Sequence, residues 1–262
     1  MHEAQLNDET MFVTLTYDDE HLPTDGSLVP DHFTLFMKKL RWHASERRRN
    51  PETGRMKRYY KPIKFYHCGE YGDRFERPHY HACIFGHTFP DKKYFRREGE
   101  HDLWTSEELD TLWGHGHCLI GSVTYQSAGY VARYITKLIT GKRAPEHYLR
   151  ESNTGLVTEV HPEYATMSRR PGLASEWYEE FEDDVYPWDE VIVNGHPKRP
   201  PRYYDKKYQE QHPDLWVDLQ LRREADAKRR AKEHTPARLL ARETVTKAKL
   251  NLTKRTYENG QP

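Results

Sequence analysis

The residues of this chain whose types and spacing can do chemistry are His79-Tyr80-His81 and, 49 residues on, Tyr130-Val131-Ala132-Arg133-Tyr134-Ile135-Thr136-Lys137. Residues two apart in a strand share a face. His79 and His81 therefore point one way, with Cys83 and Phe85, while Tyr80, Ala82 and Ile84 point the other. A His-x-His pair alone is weak evidence for a metal. Glu70 strengthens it, because it closes the preceding strand of a predicted hairpin and can lie beside both imidazoles. Two imidazoles and one carboxylate can hold a divalent ion and leave positions open. On a helix, Tyr130 and Tyr134 stack along one face and Lys137 shares it. Without a cation nearby, two such phenols are only the rim of a buried face. With one, phenolate becomes accessible from an ordinary pKa of about 10.

These side chains need elements to position them. Met11–Tyr17 (MFVTLTY) reads as a strand. A helix follows from Asp31, with Pro30-Asp31 as its start and Phe33, Phe36, Met37 and Leu40 at helical spacing. Ile63–Glu70 and Pro78–Gly86 form the hairpin, joined by the polar segment 71–77. Thr105–Trp113 carries a helix signal and His117–Val123 another strand. Ser122 or Thr124 caps a helix running to about Thr140, where Gly141 stops it. On that helix Val131, Ile135 and Leu138 form the stripe that packs on the sheet. The order predicts an α+β fold, an antiparallel β-sheet with helices packed on one side. Residues 146–204 read as a loop-rich accessory region packed on a 1–145 core. Residues 205–262 read as a basic helical extension, with helices over Asp214–Glu233 and Pro236–Lys249.

Composition sets limits. Of 262 residues, 35% are hydrophobic and 31% charged, and no apolar run approaches a membrane span of about 20 residues. The polar N-terminus carries no signal-peptide pattern, so a soluble intracellular protein is expected. The three cysteines, Cys68, Cys83 and Cys118, make neither a disulfide framework nor a zinc ribbon, and read as small core residues. Lys plus Arg (41) balance Asp plus Glu (41), but the charges are segregated. Ser175–Glu190 holds eight acidic residues and no basic one, whereas Arg222–Arg255 holds twelve basic and four acidic. A second basic cluster is Arg47-Arg48-Arg49 with Arg55, Lys57, Arg58 and Lys61. Such asymmetry suits a polyanion partner.

Four ordered segments carry a family resemblance: Phe12-Val13-Thr14-Leu15-Thr16-Tyr17, Gly69-Glu70-Tyr71-Gly72, Arg77-Pro78-His79-Tyr80-His81, and Tyr130 to Lys137. They resemble the motifs of the HUH endonucleases, the rolling-circle replication initiators. The likeness is nearest to initiators of small single-stranded DNA phages of the microvirus group, gokushovirus-like. It covers residues 11–140 and continues more loosely through Ser168-Arg169-Arg170-Pro171-Gly172 and Pro200–Asp205. One departure is Tyr80, where the family usually has an aliphatic residue; it faces the core, so packing changes more than chemistry.

The resemblance implies an HUH/RRM-like palm and a metal-dependent DNA strand transferase. Glu70, His79 and His81 would bind Mg²⁺ or Mn²⁺. Tyr130 or Tyr134 would attack the scissile phosphate, leaving a 5′-phosphotyrosine and a free 3′-hydroxyl, and Lys137 would assist. Two tyrosines permit nicking and then ligation of a circular genome. Arg47, Arg48, Arg49, Lys57, Arg58, Arg169 and Arg170 would contact phosphates. The implied partners are single-stranded DNA at a replication origin and a host polymerase. A host helicase joins them, because no P-loop is present. The implied location is the cytoplasm of a bacterial host. Rival readings are a non-catalytic nucleic-acid-binding module, an HUH transposase or relaxase, and a two-His, one-carboxylate iron oxygenase; the last leaves the tyrosine helix unexplained.

Overall fold

The computed structural model describes residues 1–72, 75–99, 101–151 and 157–252; the side chains of residues 134–137, 143, 151 and 250–252 lie outside that description. Seven strands form one sheet: Thr10–Thr16 (β1), Lys64–Tyr71 (β2), Pro78–Phe85 (β3), Lys93–Glu98 (β4), His101–Thr105 (β5), Cys118–Gly121 (β6) and Tyr164–Met167 (β7). Their order is β7-β2-β3-β1-β6-β5-β4, and the neighbouring pairs run antiparallel. The fold is α+β. The chain packs as two units, one reaching to Ser175 and one beginning at Glu176.

Period-two alternation divides the sheet's two faces. Met11, Val13 and Leu15 of β1 lie opposite Ile84, Ala82 and Tyr80 of β3. Together they bury one face against Phe33, Phe36, Met37 and Leu40 of the helix Pro30–His43 (α1) and against Leu109 and Trp113 of the helix Glu107–Trp113 (α2). Pro30 starts α1, where a missing N–H costs nothing, and Ser106 caps α2 by accepting from Leu109 N–H. Tyr80 is fully buried, and its hydroxyl donates to Val29 O (3.0 Å) and accepts from Val29 N–H (2.9 Å). The aromatic in the His-x-His motif thus ties β3 to the start of α1.

The other face of the sheet receives the helix Tyr125–Lys137 (α3), which packs over β7, β2 and β3. Helices therefore cover both faces rather than the single side expected from the element order. Thr124 and Ser127 form a reciprocal capping box at the start of α3. The helix ends at Lys137, short of Thr140, and Leu138 is exposed beyond it rather than packed on the sheet. Val131 is fully buried, as the stripe required. All three cysteines are buried and free.

Beyond Glu176 the pattern is more helical than the proline-rich sequence suggested. Ser175–Val185 (α4), Arg202–Gln211 (α5), Pro213–Arg229 (α6) and Pro236–Leu252 (α7) are helices. The acidic run forms α4, and its carboxylates have partners: Glu179 takes Lys207 at 2.7 Å and Glu182 takes His212 at 2.5 Å. Arg223, nearly buried, bridges Asp189 and Asp205. Among the described residues, no helix is long and apolar enough to cross a membrane.

Candidate metal centre and tyrosine helix

The face of the sheet opposite α1 carries the polar residues of β1, β2 and β3. Glu70 lies directly across from His79, and His81 directly across from Cys68 on β2 and Thr14 on β1. The pairing brings Glu70, His79 and His81 together, each offering one ligand atom, with all three atoms within 4.8 Å of one another. Oε1 of Glu70 stands 2.8 Å from Nε2 of His79 and 2.9 Å from Nε2 of His81. Glu70 and His81 are buried, whereas the His79 side chain keeps 15% of its surface exposed. His79 is thus the side from which a substrate can approach.

The distal nitrogens are fixed by neighbours. Nδ1 of His79 donates to the carbonyl of Arg77 at 3.1 Å, and Nδ1 of His81 hydrogen-bonds Thr14 Oγ1 at 3.0 Å. The Phe12 ring stacks on His81 with centroids 5.5 Å apart. Such outer partners orient a ligating imidazole. Thr14 and Phe12 were not singled out from the sequence. Alternation puts them on the site face, but the cross-strand register that sets Thr14 against His81 cannot be read from one strand.

The three residues fit a divalent cation. With Nδ1 of His79 donating, a neutral ring presents its Nε2 lone pair to a carboxylate oxygen, which is repulsive unless a proton or a metal lies between them. Adjacent ligands of an octahedral ion with bonds of about 2.1 Å sit about 3 Å apart, close to the separations found. Oε2 of Glu70 is buried with no hydrogen-bond partner among the described residues, a cost that a bound cation would relieve. Burial alone would raise the Glu70 carboxyl. The charge and hydrogen bonds of His79, then of His81, outweigh it and hold the pKa at about 2.

Helix α3 brings Tyr130 onto this centre. Its buried hydroxyl donates to Oε1 of Glu70 at 3.0 Å, and its ring meets that of His81 edge-on at 4.9 Å. Tyr134 and Lys137 belong to the last turns of α3 by backbone; their side chains lie outside the described residues.

The basic residues predicted as phosphate contacts fall in two places away from this centre. Arg47, Arg48, Arg49, Lys57 and Arg58 belong to a two-stranded ribbon, Glu46–Arg49 paired with Met56–Tyr59. Arg169 and Arg170 are exposed just after β7, where Arg169 bridges to Gly172.

A family model described as replication-associated protein ORF2/gene 2 protein matches residues 10–139. The chain is 34% identical over 234 residues to the replication-associated protein VP4 of Bdellovibrio phage phiMH2K, an alignment covering 88% of this chain and 67% of that protein. It is 31% identical over 229 residues to the replication-associated protein ORF2 of Spiroplasma virus 4, covering 83% of this chain and 64% of that protein. With the replication-associated protein ORF4 of Chlamydia phage 1 it shares 33% identity over 140 residues, covering 52% of this chain and 32% of that protein. The chain thus spans about two thirds or less of the length of these relatives. No solved structure matches.

Proposed function

Because the chain belongs to this family of replication-associated proteins, we propose that it initiates replication of a circular single-stranded DNA phage genome as an HUH endonuclease. In this reading it nicks and later religates DNA at the origin in the host cytoplasm. One observation carries the proposal: a helix-borne phenol, Tyr130, points at the carboxylate shared by two imidazoles, on one face of the sheet.

Glu70, His79 and His81 would hold Mg²⁺ or Mn²⁺. Oxygen ligands suit Mg²⁺, and imidazoles make Mn²⁺ the easier occupant. When bound, the ion supplies Lewis-acid charge to a non-bridging oxygen of the scissile phosphate. The protein's own groups do the rest. Glu70 accepts from the Tyr130 hydroxyl and fixes its direction. Tyr130, or Tyr134 one turn further along α3, attacks phosphorus as the phenol proton departs. The tyrosine oxygen–phosphorus bond forms, the phosphorus–O3′ bond breaks, and the leaving O3′ takes up a proton. One phosphoester replaces another, so no nucleotide is consumed. The free 3′-hydroxyl primes a host polymerase, and the second tyrosine can release the held end by the reverse transfer. Lys137 would favour phenolate or neutralise charge at phosphorus. Arg169, Arg170 and the ribbon residues Arg47, Arg48, Arg49, Lys57 and Arg58 would contact phosphates. A host helicase would open the duplex.

The test is to mix the protein with labelled single-stranded origin DNA and Mn²⁺ and run a denaturing gel. The expected result is a covalent band, absent in EDTA, whose tryptic adduct maps to residues 130–137. A protein that binds the DNA but never yields that band is a binding module, and the proposal falls.

A further inference from the structure

The basic ribbon is built in a way that a structural hairpin is not. It forms a separate two-stranded sheet, and neither strand pairs with the central one. Arg47 lies directly opposite Arg58, and Arg48 directly opposite Lys57. Like charges facing each other across a pair oppose its formation, and an isolated two-stranded hairpin is marginal to begin with. Directly paired residues share a face, so each of the ribbon's two faces carries one of these repelling pairs. Residues 46–59 hold six cations against two carboxylates. Glu46 relieves Arg48 at 2.7 Å, and Arg58 is held by Ser45 Oγ at 2.6 Å and lies 3.4 Å over the Trp42 ring. Arg47, Arg49 and Arg55 make no ion pair or side-chain hydrogen bond among the described residues, and all three are exposed.

The ribbon's position limits what it can touch. Its base stays at the end of the sheet where α1 finishes, since Arg41 of α1 donates to Ile63 O at 2.9 Å, just before β2 begins at Lys64. From Lys64 along β2 to Glu70 is about 20 Å, at about 3.3 Å per residue. That is about six base pairs of duplex at 3.4 Å each. The ribbon therefore does not hold the nucleotides at the metal centre.

We propose that the Glu46–Tyr59 ribbon docks double-stranded DNA beside the nicking site, its two cationic faces addressing the phosphate walls of the major groove. The inference deepens the DNA-processing role proposed above and rests on it. A two-stranded ribbon is an element that the major groove, about 12 Å wide, admits. Unpaired strands are instead held on aromatic platforms. The ribbon's one aromatic, Tyr59, is half-buried, with Arg48 and Lys57 about 6 Å from its ring. The duplex supplies what the fold leaves open: phosphates for three unengaged arginines, and relief of repulsion in two cross-strand pairs.

The test uses the full chain with Arg47, Arg49 and Lys57 all changed to Gln. Fluorescence anisotropy is measured against a 20-base-pair duplex and a 12-nucleotide single strand over a range of salt. The expected result is a loss of duplex affinity of tenfold or more, with the slope of log K against log salt reduced by about 2–3, near 0.9 per lost phosphate contact. Single-strand affinity should move less than twofold. A companion variant with Arg47→Lys and Arg49→Lys should restore most of the duplex affinity, which separates charge from folding. Equal losses on both probes, or no loss on the duplex, would overturn the proposal. Failure of the unaltered protein to form a covalent band would sink the nuclease reading instead, while the duplex comparison would still decide the ribbon's role.

Discussion

The hydroxyl of Tyr130 donates a 3.0 Å hydrogen bond to Oε1 of Glu70, the same oxygen that both imidazoles face. A nucleophile candidate is thereby tied to the metal-ligand set before any substrate arrives. Tyr130→Phe deletes the donor but leaves ring packing on His81 and Phe12, so Mn²⁺ affinity measured by calorimetry should change less than tenfold. Combined with Tyr134→Phe, it should remove the covalent adduct below detection on a denaturing gel. An adduct formed by the double variant would refute tyrosine chemistry on α3.

Thr14 acts on the centre through His81. Its hydroxyl fixes the ring by a 3.0 Å hydrogen bond to Nδ1. Thr14→Val keeps the shape and removes that bond. We expect metal affinity to fall about tenfold, as for other lost outer-sphere partners, with cleavage falling in parallel and Thr14→Ser largely intact. Titration of Mn²⁺ into the two variants checks this, and equal affinities would deny the hydroxyl any orienting role.

Tyr80 separates stability from chemistry. Tyr80→Phe strips the partner from both the N–H and the C=O of Val29, which are bonded to the Tyr80 hydroxyl at 2.9 and 3.0 Å. Leaving buried polar groups unpaired costs about 1–3 kcal/mol. Urea unfolding should report that loss, while Mn²⁺ affinity should stay within twofold, because the hydroxyl points to the opposite side of the sheet from the imidazoles.

His67 makes the fold acid-sensitive. It is buried, stacked on Phe33 at 3.5 Å, and hydrogen-bonded to Thr166 Oγ1 at 2.8 Å. Burial lowers its pKa from 6.5 to about 3, against a smaller opposing effect of Thr166. The unfolded chain therefore binds the proton more readily. The stability contributed by neutral His67 is complete above pH 6.5 and is lost as pH falls from there toward 3, by up to about 1.4 kcal/mol per unit. Stability curves measured between pH 7 and 4 should be shallower for His67→Gln than for the unaltered chain; parallel curves would assign the acid sensitivity elsewhere.

Much of this architecture was legible where burial repeats with a clean period. The spacing of Phe33, Phe36, Met37 and Leu40 announced α1, and alternation placed His79 and His81 away from Tyr80. The hairpin put Glu70 within reach of both because its strands are adjacent in sequence. The misses share a cause. In β4, Lys93–Glu98 is an edge strand with exposed Tyr94 and Phe95, so it lacks an apolar alternation to read. In β7, Tyr164–Met167 pairs with a strand almost a hundred residues earlier, and local pattern cannot report such a partner. Helix α4 was hidden because its carboxylates find their partners on α5 and at its end, through Lys207 and His212, and not within its own turn.

Strand β3 serves two masters with one zigzag: its odd-numbered members at 79 and 81 address the ion while the even-numbered ones at 80, 82 and 84 fill the apolar layer. Inserting or deleting a single residue between Pro78 and His79 would exchange these duties, burying imidazoles in oil and offering a phenol to the cation. Length changes within this segment can therefore survive only in pairs, and descendants of this chain should vary in the loops that flank β3 long before they vary in its count.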